Sequence, residues 1–405
     1  MTRFILLVLM LGGFNSSFAA APPAHHYLVP EQNLAYLPVA SRPPVVARDR
    51  GLALTTMSLQ QVDQLVRTLH EKRFTCGGLM DVESLIARNS NPIRFLQAMR
   101  NVPVVGKNRP PHRLQASYPN QVNLALSKMS AQRFEETWRA LAAFPNRYSR
   151  GQQGLAATMW LKDNMLKWAA EAGRTDIGAA LVATGGPNDG YPQSSVVIRV
   201  PGTDPKLPAI LLGGHFDTFN GKMPGADDDA SGSATVIEVF RAMLDTKMRF
   251  QRDVYFAFYA AEELGLVGSG YVTREFRNRN IPLAGVMQFD MVAFRPTGRN
   301  DKIFFISDYT NEPLTAFTRD LAIKYLGMQP GNIGSTACGY ACSDHASWHN
   351  IGVPTVFPFE SDISNYNPTI HTTDDDFTKV DFKHALQFVR LGVAFAVEMA
   401  QPAQR

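Results

Sequence analysis

The chain lacks an apolar run long enough to cross a membrane. The apolar stretch from Phe4 to Phe14 is too short to span a bilayer, and no other stretch approaches the necessary length. Clusters of basic residues are also missing, because the lysines and arginines behind the formal net charge of +4 are scattered along the sequence. These absences argue against a membrane partner and a nucleic-acid partner, and we expect a soluble monomer.

Cysteine is scarce as well, with three residues in the whole chain. Cys338 and Cys342 are close enough in sequence to close a small loop, whereas Cys76 is left over. The first residues, MTRFILLVLMLGGFNSSFAAAPP, combine one arginine, an apolar run and small residues at Ser17 and Ala19. This pattern predicts a signal peptide over residues 1–19 and a secreted protein, so the cysteines are expected to meet an oxidising environment.

A catalytic constellation is absent from residues 20–108, which are rich in proline and loop signals and contain one helical pattern near LQQVDQLVRTLHEK. In an exported protein such a segment suggests a pro-segment, and an accessory domain is the alternative that the sequence leaves open. A chain of 405 residues can hold one large domain beside a smaller one. We therefore predict a pro-segment at 20–108, containing Cys76, and a catalytic domain at 109–405.

Helix and strand patterns alternate in the main domain. Six short stretches are rich in β-branched or aromatic residues, as strands are: SSVVIRV, AILLGG, VYFAFYA, GVMQFDMV, KIFFIS and TVFPF. Apolar residues recur at helical spacing before and between them, as in SAQRFEETWRALAAF and ATVIEVFRAMLD. The alternation predicts an α/β fold with a mostly parallel, mixed central sheet sandwiched by helices, and ligands at the carboxyl ends of the strands.

Negative charge accumulates in one turn of this domain, GGHFDTFNGKMPGADDDASG at residues 213–232. His215 and Asp217 follow the strand AILLGG, and the triple aspartate 227–229 precedes a helix. One aspartate would suffice to cap that helix, since a single side chain can accept its free N–H groups. Three consecutive aspartates repel one another unless a cation lies among them, so the turn predicts a metal site.

More acids and a histidine follow the other strands. Glu262 and Glu263 come after VYFAFYA, Asp290 lies inside or at the end of GVMQFDMV, and His371 lies in a late loop. A carboxylate in an apolar strand is costly unless something pairs it, and no basic residue is near Asp290 in sequence. A metal ion would provide that pairing.

Two imidazoles and three carboxylates are then available as ligands, a set that suits zinc better than calcium or magnesium. If one carboxylate bridges, the five side chains give each of two metals three protein ligands and leave space for a shared water. Glu262 is adjacent to a ligand but faces another direction, which makes it the natural general base. The predicted ligands are His215, Asp228, Glu263, Asp290 and His371.

Six motifs between about residues 120 and 400 carry a resemblance to a known family: GGHFD, PGADDDASG, AAEELGLVGS, QFDM, CGYACSDHASW and NPTIHTT. Together they resemble the secreted dizinc leucyl aminopeptidases of the M28 metallopeptidase family, of the Vibrio and Aeromonas type. The resemblance implies two zinc ions bridged by Asp228, one completed by Glu263 and His371 and the other by His215 and Asp290.

The same resemblance assigns roles around the ligands. It implies that Glu262 is the general base and that a cis peptide joins Asp228 to Asp229. It also implies that Asp217 orients His215 by accepting its second ring N–H. Without the resemblance Asp217 would be an ordinary turn residue.

The motif CGYAC resembles the disulfide loop of the family, so Cys338 and Cys342 are expected to be bonded and to line the pocket. A metal-binding cysteine pair is the alternative. Tyr340 resembles the tyrosine whose hydroxyl stabilises the developing oxyanion, and simple packing is its alternative. The positions that resemble the family's pocket for the first substrate side chain are apolar, although strand alternation favours the core for some. They are Met291, Phe357, Phe359, Ile363, Tyr366 and Ile370.

We therefore expect a secreted aminopeptidase, made as a zymogen, that removes large apolar residues such as leucine from peptides with a free N-terminus. A glutaminyl cyclase is the main alternative, since it shares the fold and much of the metal shell but cyclises its substrate. A carboxypeptidase would need a basic residue for the substrate carboxylate, and none lies near the motifs. An inactive binding module typically loses ligands or the base, and this sequence retains them all.

Overall fold

A computed structural model of the chain describes residues 24–72, 78–83, 85–86, 91–100, 114–186, 189–296 and 302–403. The expected signal peptide, Cys76 and the expected boundary between residues 108 and 109 lie outside these ranges. Among the described residues, no helix is both long enough and apolar enough to cross a bilayer.

The N-terminal region, residues 24–100, contains more regular structure than its proline content predicts. Its elements are β1 His25–Pro30, α1 Glu31–Leu34, β2 Val45–Asp49, β3 Leu52–Met57, α2 Leu59–Glu71, β4 Met80–Asp81 and α3 Pro92–Arg100. The strands form an antiparallel sheet in the order β2-β3-β1-β4. Pro30 and Pro44 lie at or just beyond strand ends, where a missing N–H costs little, so the proline-rich sequence is compatible with a sheet.

Helix α2 corresponds to the one helical pattern that the sequence shows in this region. Ser58 and Gln61 form a reciprocal capping box at its N-terminus. Its buried side chains are those of Leu59, Val62, Leu65, Val66 and Leu69. Most of them share an apolar core with Leu264 and Val267 of the main domain. Helix α2 therefore attaches the N-terminal region to the main domain by burial of apolar surface.

The main domain begins with three helices and then alternates strands with helices. Its elements are α4 Pro119–Leu126, α5 Ala131–Ala142, α6 Gln152–Glu171, β5 Gly178–Val182, β6 Ser195–Val200, β7 Ala209–His215, α7 Ala230–Asp245, β8 Val254–Tyr259, α8 Val267–Asn278, β9 Leu283–Gln288, β10 Ile303–Ile306, α9 Glu312–Leu326, β11 Ile333–Thr336, α10 His345–His349, β12 Thr355–Val356, β13 Pro358–Phe359 and α11 Phe382–Ala400.

The central sheet has six strands in the order β12-β9-β7-β8-β6-β5. Strands β12, β9, β7 and β8 run parallel, whereas β6 and β5 pair antiparallel at one edge. This arrangement confirms the expected α/β fold with a mostly parallel, mixed central sheet. The strand β5 was not predicted, because most of its side chains are exposed or half-buried and give no strong apolar signal.

Alternate side chains of the strands pack into two cores, one on each face of the sheet. On one face, Ile210 and Leu212 of β7 pack in a core with α5, α6, α7, α9 and α11. On the other face, Leu211 packs in a core with Val272 of α8 and Trp348 of α10. Helices cover both faces, so the carboxyl ends of the parallel strands are the free edge on which a site can be built.

Two of the predicted strand stretches lie wholly or partly outside the central sheet. KIFFIS becomes β10, which belongs to a separate three-stranded sheet in the order β11-β10-β13. TVFPF is not one strand, because β12 pairs with β9 in the central sheet while β13 pairs with β10. The chain changes sheet at Phe357, whose carbonyl accepts the N–H of Ile306. Pro358 has no N–H to continue a ladder, which accounts for the division at this point.

Candidate metal centre

The predicted ligands lie at the carboxyl edge of the central sheet. His215 is the last residue of β7, Glu263 follows β8 and Asp290 follows β9 by two residues. Asp228 lies in the turn before α7, and His371 lies in the loop before α11. Neighbouring parallel strands end at the same edge, so side chains far apart in sequence meet here.

The ligand atoms form two groups that share one carboxylate. Asp228 Oδ1 lies 2.9 Å from His215 Nε2, and Asp290 Oδ1 lies 3.5 Å from the same nitrogen. Asp228 Oδ2 lies 2.9 Å from His371 Nε2, which is 3.0 Å from Glu263 Oε2. Within each group of three residues, one ligand atom per residue lies within 4.8 Å of the others. The grouping is the same as that implied by the family resemblance.

A divalent cation suits these residues because all five are buried and three of their ligand atoms make no hydrogen bond among the described residues. All five side chains are less than 10% exposed. Among the described residues, Glu263 Oε2, Asp290 Oδ1 and His371 Nε2 make no hydrogen bond. Buried carboxylates that face imidazoles and have no hydrogen-bond donor need a positive charge between them. The mixture of nitrogen and oxygen ligands suits a borderline metal such as zinc.

The carboxylates also raise the pKa values of the two imidazoles. Burial alone lowers the pKa of His215, but Asp290, Asp217 and Asp228 outweigh it, so the pKa lies well above its ordinary value. His371 behaves in the same way, because Glu263 and Asp228 outweigh its burial and raise its pKa. Each imidazole is therefore in a field that strongly favours a positive charge, which either a proton or a metal ion can supply.

Glu262 lies beside the ligands without belonging to either group. Glu262 is 2% exposed, and its Oε2 makes no hydrogen bond among the described residues. Burial raises the pKa of Glu262 well above its ordinary value, and the neighbouring carboxylates Asp344 and Asp290 add to the shift. A buried carboxyl that binds a proton readily suits general acid and base chemistry.

Asp217 supports the backbone of both Glu262 and Glu263. Its Oδ1 accepts the backbone N–H of Glu262 at 3.0 Å, and its Oδ2 accepts that of Glu263 at 3.3 Å. The distance from Oδ1 to His215 Nδ1 is 3.4 Å, and this nitrogen makes no hydrogen bond among the described residues. Asp217 therefore lies where the resemblance places it, but its shorter contacts are with the backbone after β8.

Asp229 acts as the cap of α7. Its Oδ1 accepts the N–H of Gly232 at 2.8 Å, and the peptide bond between Asp228 and Asp229 is cis, as the resemblance implies. A Cβ atom at Gly232 would lie 2.4 Å from the same carboxylate oxygen, so only glycine fits there. The helix-cap interpretation therefore applies to the third aspartate, while the second aspartate joins the ligand groups.

Three buried residues that hold the aspartate turn were not predicted from the sequence. Asp375 accepts the N–H groups of both Asp227 and Asp228, each at 3.0 Å. Asn367 donates to Asp227 Oδ2 at 3.0 Å, so the first aspartate is engaged away from the ligand groups. The fully buried Arg147 donates hydrogen bonds to the backbone carbonyls of Phe216, Pro224 and Gly225, which lie between His215 and Asp228 in sequence. Only Asp375 offered a signal, since it follows His371 closely in the run TTDDD.

The predicted pocket residues surround a small apolar cavity next to Asp290. The cavity has a volume of about 20 Å³ and is lined by Met291, Cys338, Tyr340, Cys342, Phe357, Phe359, Ile363 and Tyr366. Ile370 packs in the same apolar cluster. Cys338 and Cys342 are joined by a disulfide bond, which forms part of the wall. The structure therefore gathers the predicted pocket residues in one place.

The N-terminal region reaches the ligand groups, which the sequence did not predict. His70 Nδ1 lies 3.0 Å from His371 Nδ1, and Phe219 packs its ring against His371 with 4.6 Å between ring centroids. Burial lowers the pKa of His70 to about 4, and His371 contributes to the shift. On the other side, Tyr340 lines a cavity of about 30 Å³ together with residues of the N-terminal region such as Leu28. The region therefore lies across the site.

The model of peptidase family M28 matches residues 195–396. Leucine aminopeptidase 1 of Aspergillus niger is 32% identical over 289 residues, which are 68% of this chain and 72% of that protein. The crystal structure of the aminopeptidase LapA of Legionella pneumophila has a TM-score of 0.84 and 32% identity, covering 95% of this chain and 100% of that one.

Two further solved structures share the fold. LapB of Legionella pneumophila has a TM-score of 0.81 and 31% identity, covering 93% of this chain and 99% of that one. A glutaminyl cyclase of Porphyromonas gingivalis has a TM-score of 0.55 and 17% identity, covering 67% of this chain and 98% of that one. At that identity the likeness shows the fold alone.

Proposed function

The chain belongs to peptidase family M28, and from this premise we propose that it is a secreted aminopeptidase with a carboxylate-bridged pair of zinc ions. One observation carries the proposal. Two buried ligand groups share Asp228, and the carboxyl of Glu262 lies beside them without joining either. This arrangement provides both a place for two cations and a separate group that can move a proton.

Each ion would have three protein ligands. His215 and Asp290 would hold one, Glu263 and His371 the other, and Asp228 both. When bound, the two ions supply Lewis-acid polarisation of the peptide carbonyl and lower the pKa of a water molecule.

The proton transfer depends on Glu262. We expect Glu262 to remove a proton from the attacking water and to deliver it to the leaving amine. Its N–H bond to Asp217 fixes the backbone at this position. The hydroxyl of Tyr340, at the edge of the apolar cavity, would donate to the oxyanion that forms on the attacked carbonyl. If the free amine of the substrate is held beside Glu262 and the metal centre, the enzyme would act only on peptides with a free N-terminus.

The apolar cavity supports a preference for large apolar N-terminal residues such as leucine. Met291, Phe357 and Phe359 are buried and bring no charge into it. They pack in a cluster of their own with the disulfide, apart from the cores on the two sheet faces. An apolar substrate side chain would therefore be favoured there over a charged one.

A chromogenic assay separates this proposal from the glutaminyl cyclase alternative. The purified chain should release p-nitroaniline from leucine p-nitroanilide and should form no pyroglutamate from glutaminyl peptides. The hydrolysis should stop on treatment with a chelator and return on addition of zinc. Pyroglutamate formation without leucine release would favour the cyclase, and activity that survives complete chelation would contradict the metal-dependent mechanism.

We further propose that residues 20–108 are a pro-segment and that the chain is secreted as a zymogen. The N-terminal region contacts His371 on one side and lines a cavity together with Tyr340 on the other, and both observations support this role. The ligands and Glu262 are almost inaccessible to solvent with the region in place. A peptide therefore needs the region to move or to leave before it can bind.

Removal of the N-terminal region should increase activity. Cutting the chain between residues 100 and 114 and separating the fragments should raise kcat/KM for leucine p-nitroanilide about tenfold or more. Without the N-terminal region, every molecule should have a metal centre that the substrate can reach. The assay should be run with excess zinc. The matched control is the chain that has been cut but not separated, which should keep the low activity. An unchanged or lower kcat/KM after separation would contradict the pro-segment role.

A further inference from the structure

The N-terminal region contributes one side chain to the candidate metal centre itself. His70, near the end of α2, lies with its ring centroid 4.8 Å from that of His371, and their Nδ1 atoms are 3.0 Å apart. We infer that His70 is a positioning residue that accepts the ring N–H of His371 and thereby holds that imidazole toward Asp228 and Glu263. The inference rests on the proposed function, because His371 requires this orientation as a metal ligand.

The direction of the hydrogen bond follows from the other nitrogen of His371. Its Nε2 faces Asp228 Oδ2 at 2.9 Å and Glu263 Oε2 at 3.0 Å, so this is the nitrogen whose lone pair is needed for a cation. The proton of the neutral ring must then be on Nδ1. Nδ1 of His70 is therefore the acceptor, and His70 carries its own proton on Nε2.

A histidine that binds a metal almost always donates its second ring N–H to a carboxylate, a backbone carbonyl or a water. Among the described residues, His371 Nδ1 has one hydrogen-bond partner, which is His70. Phe219 packs edge-on against His371 and lies 6.1 Å from the ring of His70, which limits the space for water at this contact. The N-terminal region thus supplies a partner that the catalytic domain would otherwise have to provide.

His70 is held in place from both ends of its helix. Leu69, the residue before it, is buried in the core that α2 shares with the main domain. Near the start of the helix, Asp63 accepts hydrogen bonds from Tyr148 at 3.4 Å and from Arg150 at 3.3 Å, both in the main domain. These contacts fix the position of the imidazole before any metal binds, which is what a positioning residue requires.

The contact has a consequence for metal retention. Loss of such an outer partner typically weakens metal binding about 10- to 100-fold. We therefore expect His70→Leu to weaken the binding of one zinc ion by that factor and to leave the ion held by His215 and Asp290 unchanged. Separation of the N-terminal region should have the same effect, so the cleaved enzyme should lose one zinc to chelators more readily than the intact chain.

The test is an equilibrium titration of the intact chain with zinc against a competing chelator, with zinc content as the readout. His70→Asn is the conservative variant, since its Oδ1 can take the place of Nδ1 as acceptor, and it should restore most of the affinity. His26→Leu is the matched control, because His26 lies in the same region but bonds to Glu83. Wild type, His70→Asn and His26→Leu should bind two zinc ions with similar affinities.

Imidazole NMR of the zinc-loaded chain provides a second readout. In wild type the Nδ1–H of His371 should be protected from exchange with water, and this protection should be lost in His70→Leu. If His70→Leu folds and still binds two zinc ions with wild-type affinity, the inference is overturned. If His70→Leu does not fold, an Nδ1–H of His371 that is unprotected from exchange in wild type would overturn it instead. A wild-type chain that binds no zinc would instead overturn the proposed function.

Discussion

Replacing Glu262 with glutamine should lower kcat for leucine p-nitroanilide about 10³-fold while both zinc ions remain bound. Glutamine has the shape of glutamate but cannot accept the proton of the attacking water. The carboxyl belongs to neither ligand group, so the metal content should not change. The backbone N–H of residue 262 can donate to Asp217 whether the side chain is glutamate or glutamine, so the substitution should disturb the structure little.

The measurement for Glu262 combines steady-state kinetics of the cleaved chain with zinc analysis of the same sample. Glu275→Gln is a suitable control, because Glu275 is on the surface of α8 and pairs with Arg279. The control should retain wild-type kcat. Near wild-type activity in Glu262→Gln would mean that another group takes the proton, and loss of zinc would mean that Glu262 is a ligand.

Replacing Asp228 with asparagine should have the largest effect on the metal centre. Each of its carboxylate oxygens faces a different imidazole at 2.9 Å, so the residue is part of both ligand groups. Asparagine keeps the shape but removes the negative charge and one of the two acceptor oxygens. We expect both zinc affinities to fall about 100-fold or more and hydrolysis to be lost with them.

The measurement for Asp228 is the same zinc titration, with Asp374→Asn as the control for loss of one negative charge. Asp374 is exposed and lies three residues after His371, outside both ligand groups. The control should bind two zinc ions with wild-type affinity. Retention of both ions by Asp228→Asn would contradict the bridging role, and loss of one ion alone would assign Asp228 to a single site.

Local sequence pattern was sufficient for the main features of the catalytic domain. The strand AILLGGH is entirely buried, and the polar residues that directly follow it had to lie at an edge of the sheet. The same reasoning placed Glu262 and Asp290 beside them, because neighbouring parallel strands end together. The sequence indicated that one of the three aspartates suffices to cap α7, and Asp229 does so in the structure, although the sequence did not show where the first one points.

The features that sequence reasoning missed depend on contacts between distant parts of the chain. His70 and His371 are 301 residues apart and meet only because α2 packs on the main domain. Arg147 is fully buried and bonds to backbone carbonyls, which no residue pattern reveals. The four-stranded sheet of the N-terminal region was not predicted, because its sequence has prolines at the strand ends and no long apolar run.

The acids at the carboxyl edge of the sheet are expected to hold two zinc ions through Asp228. A zinc-edge anomalous difference map from crystals of the dialysed, uncleaved chain tests it most directly. We expect two peaks, one among His215, Asp228 and Asp290 and one among Asp228, Glu263 and His371. A map without a peak at these residues, from protein that hydrolyses leucine p-nitroanilide once cleaved, would contradict it.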